Sequence, residues 1–281
     1  MSATDQATYL GRLSARISAV GTSLCLGVDP DPDALPAGFS RNLAGVERFA
    51  QLVLEAALPR AAAVKFNLAF YEAFGSAGIA ALERLRARVP AEVPFIADAK
   101  RGDIASTAAR QAVAIFDALG ADAVTLNPYL GRDSLEPFLA RTDRFAYVLC
   151  RTSNPGAAEF QGLTLDGQPL FLAVARRVAG WAIDGAQVGL VVGATAPQEL
   201  VQIRAAAPGL PVLVPGLGAQ GGEEAVVLAA GPATAGSAAE IRGGALLVNV
   251  SRGIAAAALE SADPEAALAA AADRWATTLQ C

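Results

Sequence analysis

Asp98, Lys100, Arg101 and Asp103 fall within six positions, directly after the apolar run Val93 to Ala97. Carboxylates and ammonium groups this close hold one another ionised even where water is scarce, because each favours the charged form of its neighbour. If Phe95 to Lys100 is extended, Asp98 and Lys100 lie two residues apart and point to the same side, with Ile96. Asp103, just past the strand end, can return toward the same mouth. Two further charges stand at strand-like ends: Asp29 after Ser23 to Val28, and Lys65 after Ala61 to Val64. Lys65 and Lys100 can hold Asp98 and Asp103 as carboxylates. Such a preformed, alternately charged array suits a reaction in which one charge is lost and another appears, because nothing need reorganise when it happens.

A second group is glycine-rich. PGLGAQGG spans 215–222 and NVSRGI spans 249–254. Glycines let the backbone approach an anion, and an arginine grips it through two N–H groups. Gln220 and Arg252 are the side chains that would join a phosphate site there.

Histidine is absent from the 281 residues. Ser-His-Asp triads, histidine acid–base catalysis and His-ligated metals are thereby excluded. A net charge of −5 with no long basic cluster disfavours nucleic-acid binding. No run of apolar residues is long enough for a membrane span, and Met1 to Gln6 lacks the features of a signal peptide. Cys25, Cys150 and Cys281 read as free thiols in a reducing cytoplasm.

The elements that must position these groups recur as apolar runs with helices between them. Strands are expected at Ser23–Val28, Ala61–Val64, Val93–Ala97, Ala123–Leu126, Phe145–Cys150, Val188–Val192, Val212–Val214 and Ala245–Val250. Helices are expected at Val46–Ala57, Ile79–Val89, Thr107–Leu119, Leu170–Trp181, Pro197–Ala207 and, broken at Asp263-Pro264, through 255–278. Residues 154–168 read as a long loop that could act as a lid. Eight βα units without a linker predict an α/β fold, a (β/α)8 TIM barrel forming a single domain over 1–281. In such a barrel every strand ends at the same face. Asp29, Lys65, Asp98, Lys100 and Asp103 then share one mouth, with the 215–222 and 249–254 loops at the recurrent phosphate position after strands 7 and 8.

DAKRGDI resembles the D-x-K-x-x-D-I pattern of the orotidine 5′-phosphate decarboxylases. VKFNLAFYEAFG, NPYLG, RTSNPGA, VVGAT, PGLGAQGG and SRG agree in order, so the resemblance runs through essentially the whole chain and is nearest the longer bacterial (type 2) subgroup. It implies cofactor-free decarboxylation of orotidine 5′-phosphate to UMP, with no metal. It also implies roles. Asp98 would face the substrate carboxylate and Lys100 would protonate the C6 carbanion. Lys65 would pair with the aspartates and touch the ribose, and Asp29 would bind a ribose hydroxyl. Ser153 would bond the pyrimidine, Gln220 and Arg252 would hold the phosphate, and Asn127 would be a further substrate contact. Asp103, Ile104 and Thr107 would reach into the partner's site, which implies a homodimer. Two other readings compete. Magnesium-dependent sugar-phosphate decarboxylases or aldolases on the same barrel share D-x-K-x-x-D, but carry a glutamate where this chain has Lys65, and a lysine cannot ligate a metal. A catalytically silent phosphate-binding barrel would not be expected to keep the Lys65, Asp98, Lys100 and Asp103 set.

Overall fold

Eight short segments pair in parallel and close into one barrel: β1 (Leu24–Gly27), β2 (Ala63–Asn67), β3 (Phe95–Arg101), β4 (Ala123–Leu126), β5 (Phe145–Arg151), β6 (Val188–Val192), β7 (Val212–Pro215) and β8 (Leu247–Val250). Each strand neighbours the next in sequence, and β8 returns to β1, with Cys25 opposite Asn249. This computed structural model describes residues 8–183, 185, 187–194, 197–217 and 224–281.

The strand alternation sorts side chains into two cores. Leu24, Leu26, Val64, Phe66, Phe95 and Ala97 belong to the cluster that packs against the helices. Cys25, Ala63, Ile96, Ala123, Tyr147, Val191, Leu213 and Leu247 form the other, on the opposite strand face and so inside the barrel. Lys65, Asp98 and Thr125 have the parity of Ala63, Ile96 and Ala123. They continue the inner face toward the C-terminal mouth.

The inner cluster is completed by a helix that the sequence reading did not anticipate, α1 (Tyr9–Val20). Its Tyr9, Leu13 and Ile17 are buried among the interior residues. Thr8 caps it by accepting from the Gly11 N–H, and Gly21, at φ +71, ends it. Tyr9 stacks on Phe145 at 4.8 Å and shares a 3.1 Å hydrogen bond with the Tyr147 hydroxyl. The N-terminal end of the barrel is therefore plugged. Beside the plug, Asp122 accepts from the Phe95 N–H (2.9 Å) and from Arg12 (2.7 Å). The C-terminus fastens at this end too: the Ser23 N–H donates to the Leu279 carbonyl, the Cys281 N–H to the Gly21 carbonyl, and Thr22 bridges Gln280.

The outer layer includes α2 (Leu43–Ala57), α3 (Gly75–Arg86), α4 (Ala105–Ala112), α5 (Leu170–Ile183), α6 (Pro197–Ala206) and α7 (Pro264–Thr278). The expected break at Asp263-Pro264 is the start of α7, where Asp263 accepts from the Ala266 N–H. α4 begins two residues earlier than expected and continues as a π-helical turn over Val113–Ala118. The 154–168 segment is structured. It holds a helical turn at Ala157–Phe160 and a small antiparallel hairpin, Thr164–Leu165 with Gln168–Pro169.

Candidate active site

Lys65 stands inside β2 rather than after it, and only 3% of it is exposed. An ammonium so buried needs carboxylates, and it has two: Asp98 Oδ2 at 3.0 Å and Asp29 Oδ2 at 3.7 Å. Asp29 is fixed in turn by the Asn67 N–H, which donates to its Oδ1 (2.8 Å). Asp98 carries the second lysine on its other oxygen, with Lys100 Nζ 2.6 Å from Oδ1. Asp29, Lys65, Asp98 and Lys100 thus form one chain of alternating charge across the ends of β1, β2 and β3.

Burial by itself would push Lys65 toward its neutral form, but Asp29 and Asp98 outweigh it and raise its pKa above the usual lysine value. Burial likewise disfavours the Asp98 carboxylate, yet Lys65 and Lys100 together bring its pKa down to about 2. Both ions are held charged by their neighbours. The thiol of Cys25, inside the barrel, is pushed up to about 12 by burial and is inert.

The expected route to the Asp98–Lys100 contact was plain strand alternation. The contact is present, but the route differs. The register of β3 against β4 shifts between Ala97 and Arg101, and Lys100 takes a left-handed backbone, φ +48. The distorted stretch is met from β4. Thr125 Oγ1 accepts from the N–H groups of both Ala99 (3.1 Å) and Lys100 (3.0 Å), and donates to Asp98 Oδ1 (2.9 Å). Sequence reading missed Thr125. Its signal is a hydroxyl at an inward position of an otherwise apolar strand.

Asp103 does not join this array within the chain. Its Oδ1 accepts from the Ile104 N–H (2.8 Å), and the described partners of Lys65 and Lys100 are Asp29 and Asp98. The reading that both lysines hold both aspartates is corrected here: Asp103 lies beyond the left-handed turn and the tight Gly102. A Cβ on Gly102 would come within 2.6 Å of the Asn127 carbonyl. Ile104 (62% exposed) and Thr107 are solvent-facing at the start of α4. Asn127 accepts from the Tyr129 N–H (3.1 Å) and so caps its own turn. Ser153 sits against the β6 and β7 ends, its Cβ 2.7 Å from where a Gly193 side chain would start and its Oγ 3.7 Å from the same point on Gly216. Arg252 is exposed and opens the helical turn Arg252–Ala255 after β8. Gln220 lies outside the described residues.

An interlocked lysine–aspartate–lysine set at the C-terminal mouth of a closed, eight-stranded parallel barrel, opposite a plugged end, defines a (β/α)8-barrel enzyme. Residues 22–271 match the model of the orotidine 5′-phosphate decarboxylase / HUMPS family, and the chain belongs to that family. The orotidine 5′-phosphate decarboxylase of Herpetosiphon aurantiacus is 46% identical over 92% of this chain and 93% of its own length. That of Thermomicrobium roseum is 46% identical over 94% and 92%. Among solved structures, Leishmania donovani OMP decarboxylase superposes with a TM-score of 0.80 at 38% identity, over 98% of this chain and 100% of that one. Leishmania donovani UMP synthase gives 0.81 at 40% identity, over 97% of this chain but 56% of that one.

Proposed function

We propose that this chain is a carboxy-lyase that converts orotidine 5′-phosphate to UMP without a cofactor, the last step of de novo UMP synthesis. The observation that carries the reading is the Lys65–Asp98–Lys100 set, with each oxygen of one largely enclosed carboxylate taken by an ammonium group. Decarboxylation at C6 leaves an electron pair in the ring plane, where the π system cannot delocalise it. A cation already in place beside that carbon stabilises the developing charge, and a preorganised group of this kind contributes about 3–4 kcal/mol. Lys100 fits the task. Its side chain is half exposed at the mouth while that of its partner Asp98 is only 12% exposed, so it can reach substrate and deliver the proton to C6. Asp98 faces the departing carboxylate.

The remaining roles follow the mouth outward. Lys65 and Asp29 meet the ribose, Ser153 the pyrimidine and Arg252 with Gln220 the phosphate, with Asn127 a further substrate contact. Phosphate binding is remote from the reacting carbon, so its binding energy can be used to close the mouth and exclude water. The magnesium reading is disfavoured by the donor set, because Lys65 stands where an acidic ligand is required and Asp98 is already paired with two lysines.

Asp103, unused in its own array, leads directly into exposed Ile104, with Tyr129 (81% exposed) and Leu130 (49%) on the neighbouring loop. Apolar groups so exposed beside a spare carboxylate support a homodimer in which Asp103, Ile104 and Thr107 enter the partner's site. We infer a cytoplasmic enzyme that binds neither nucleic acid nor membrane; among the described residues no helix is long and apolar enough to cross one. Loss of the absorbance of orotidine 5′-phosphate, with and without a chelator, tests the reaction. No turnover would overturn it, and chelator-sensitive turnover would restore the magnesium reading.

A further inference from the structure

Thr125 is 2% exposed, and its hydroxyl is used to capacity. A hydroxyl has one proton and two lone pairs. The Ala99 and Lys100 N–H groups occupy the acceptor side, so the proton is left for Asp98 Oδ1. Consecutive N–H groups of a regular strand point to opposite sides and could not meet one atom. Here they converge because β3 is bulged against β4 and Lys100 is left-handed. A lysine adopts that backbone only where its surroundings over-determine it. The Thr125 oxygen is the side-chain group that pins both N–H groups of the distorted stretch.

We propose that Thr125 is a positioning residue for the decarboxylation: one hydroxyl fixes the left-handed turn at Lys100 and an oxygen of Asp98 on a single point, so that ammonium and carboxylate meet the substrate at a set separation. The inference rests on the reaction proposed above. Thr125 is given no contact with substrate. Its effect passes through Lys100, whose half-exposed side chain gains its accuracy from a fixed backbone. A misplacement of about 1 Å at a reacting group costs on the order of a hundredfold in rate.

The test compares Thr125→Val, which keeps shape and burial, with Thr125→Ser, which keeps the hydroxyl. For Thr125→Val, kcat should fall by about 10- to 100-fold, while KM and the Kd for UMP stay within about threefold of wild type. Thr125→Ser should recover kcat to within about threefold. A folded Val variant with kcat within about twofold of wild type, or a Ser variant as impaired as Val, overturns the proposal. If the Val protein does not fold, Thr125→Cys replaces it under the same thresholds, since a thiol is a weak donor and acceptor. If wild type itself lacks turnover, the reaction is wrong, and the positioning role is judged from a crystal structure of the Val or Cys variant. A relaxed Lys100 backbone or a displaced Nζ supports it; an unchanged left-handed Lys100 still touching Asp98 overturns it.

Discussion

Lys100 Nζ lies 2.6 Å from Asp98 Oδ1, although the two residues are joined by a backbone that is not a regular strand. The contact sets a half-exposed cation on the outer side of a mostly enclosed anion. Lys100→Ala should therefore lower kcat by at least about a thousandfold, because the lysine acts mainly in the transition state. Binding of UMP, measured by calorimetry, should be largely intact. Substantial residual turnover would mean that another group donates the proton.

Arg252 has the opposite signature. Exposed after β8 and taking no part in the array's described ion pairs, it should act on binding more than on chemistry. Arg252→Ala should raise KM and the Kd for UMP by about 10- to 100-fold with a smaller change in kcat. Unchanged UMP affinity would remove Arg252 from the phosphate site.

The position of Asp103 predicts complementation. Asp98→Ala and Asp103→Ala chains should each be inactive alone. In a heterodimer one site carries both changes and the other carries neither, so about half of the wild-type activity per dimer should return. A heterodimer verified by mass spectrometry that recovers nothing would show that each site is built from one subunit.

The array also sets a pH window. The Asp98 pKa is depressed in the fold to about 2, so its stabilising contribution is present above the unfolded value, about 3.9, and is lost as pH falls through the folded one. Lys65 is raised, so its contribution is complete below the usual lysine pKa and is lost only as pH rises through the elevated one. Urea unfolding should show wild type losing about 2 kcal/mol more than Asp98→Asn between about pH 4 and pH 2. Parallel curves for the two proteins would show that Asp98 is not held below its usual range.

Gly102 sits too close to β4 for a side chain. Gly102→Ala would drive a Cβ to 2.6 Å from the Asn127 carbonyl, and one strand end must yield. Lower kcat with a destabilisation of about 1–3 kcal/mol is expected. An unchanged melting curve and rate would show that the β3 end has slack.

Much of the barrel was visible in the chain because buried parallel strands are short apolar runs with sharp ends. Ala123–Leu126 and Val188–Val192 fall where their sequences suggest. α1 escaped notice, although Tyr9, Leu13 and Ile17 recur every four residues behind a Thr8 cap; a plug has no strand to announce it. The hairpin in 154–168 was also signalled, by Asp166-Gly167, whose φ values of +50 and +77 suit a tight two-residue turn. The charged mouth was legible because ions at strand ends stand out from apolar runs. Its internal geometry was not, since the left-handed Lys100 depends on a partner from another strand. No local pattern around residue 100 specifies Thr125.

The fastening of residues 279–281 beside Gly21 to Ser23 has a consequence for fusion. Both α1 and the last residues lie at the plugged end, a whole barrel length from the ion array. A second polypeptide joined after Cys281 would leave from the plugged face, opposite the ion array, and clear of the loops after β3 and β4.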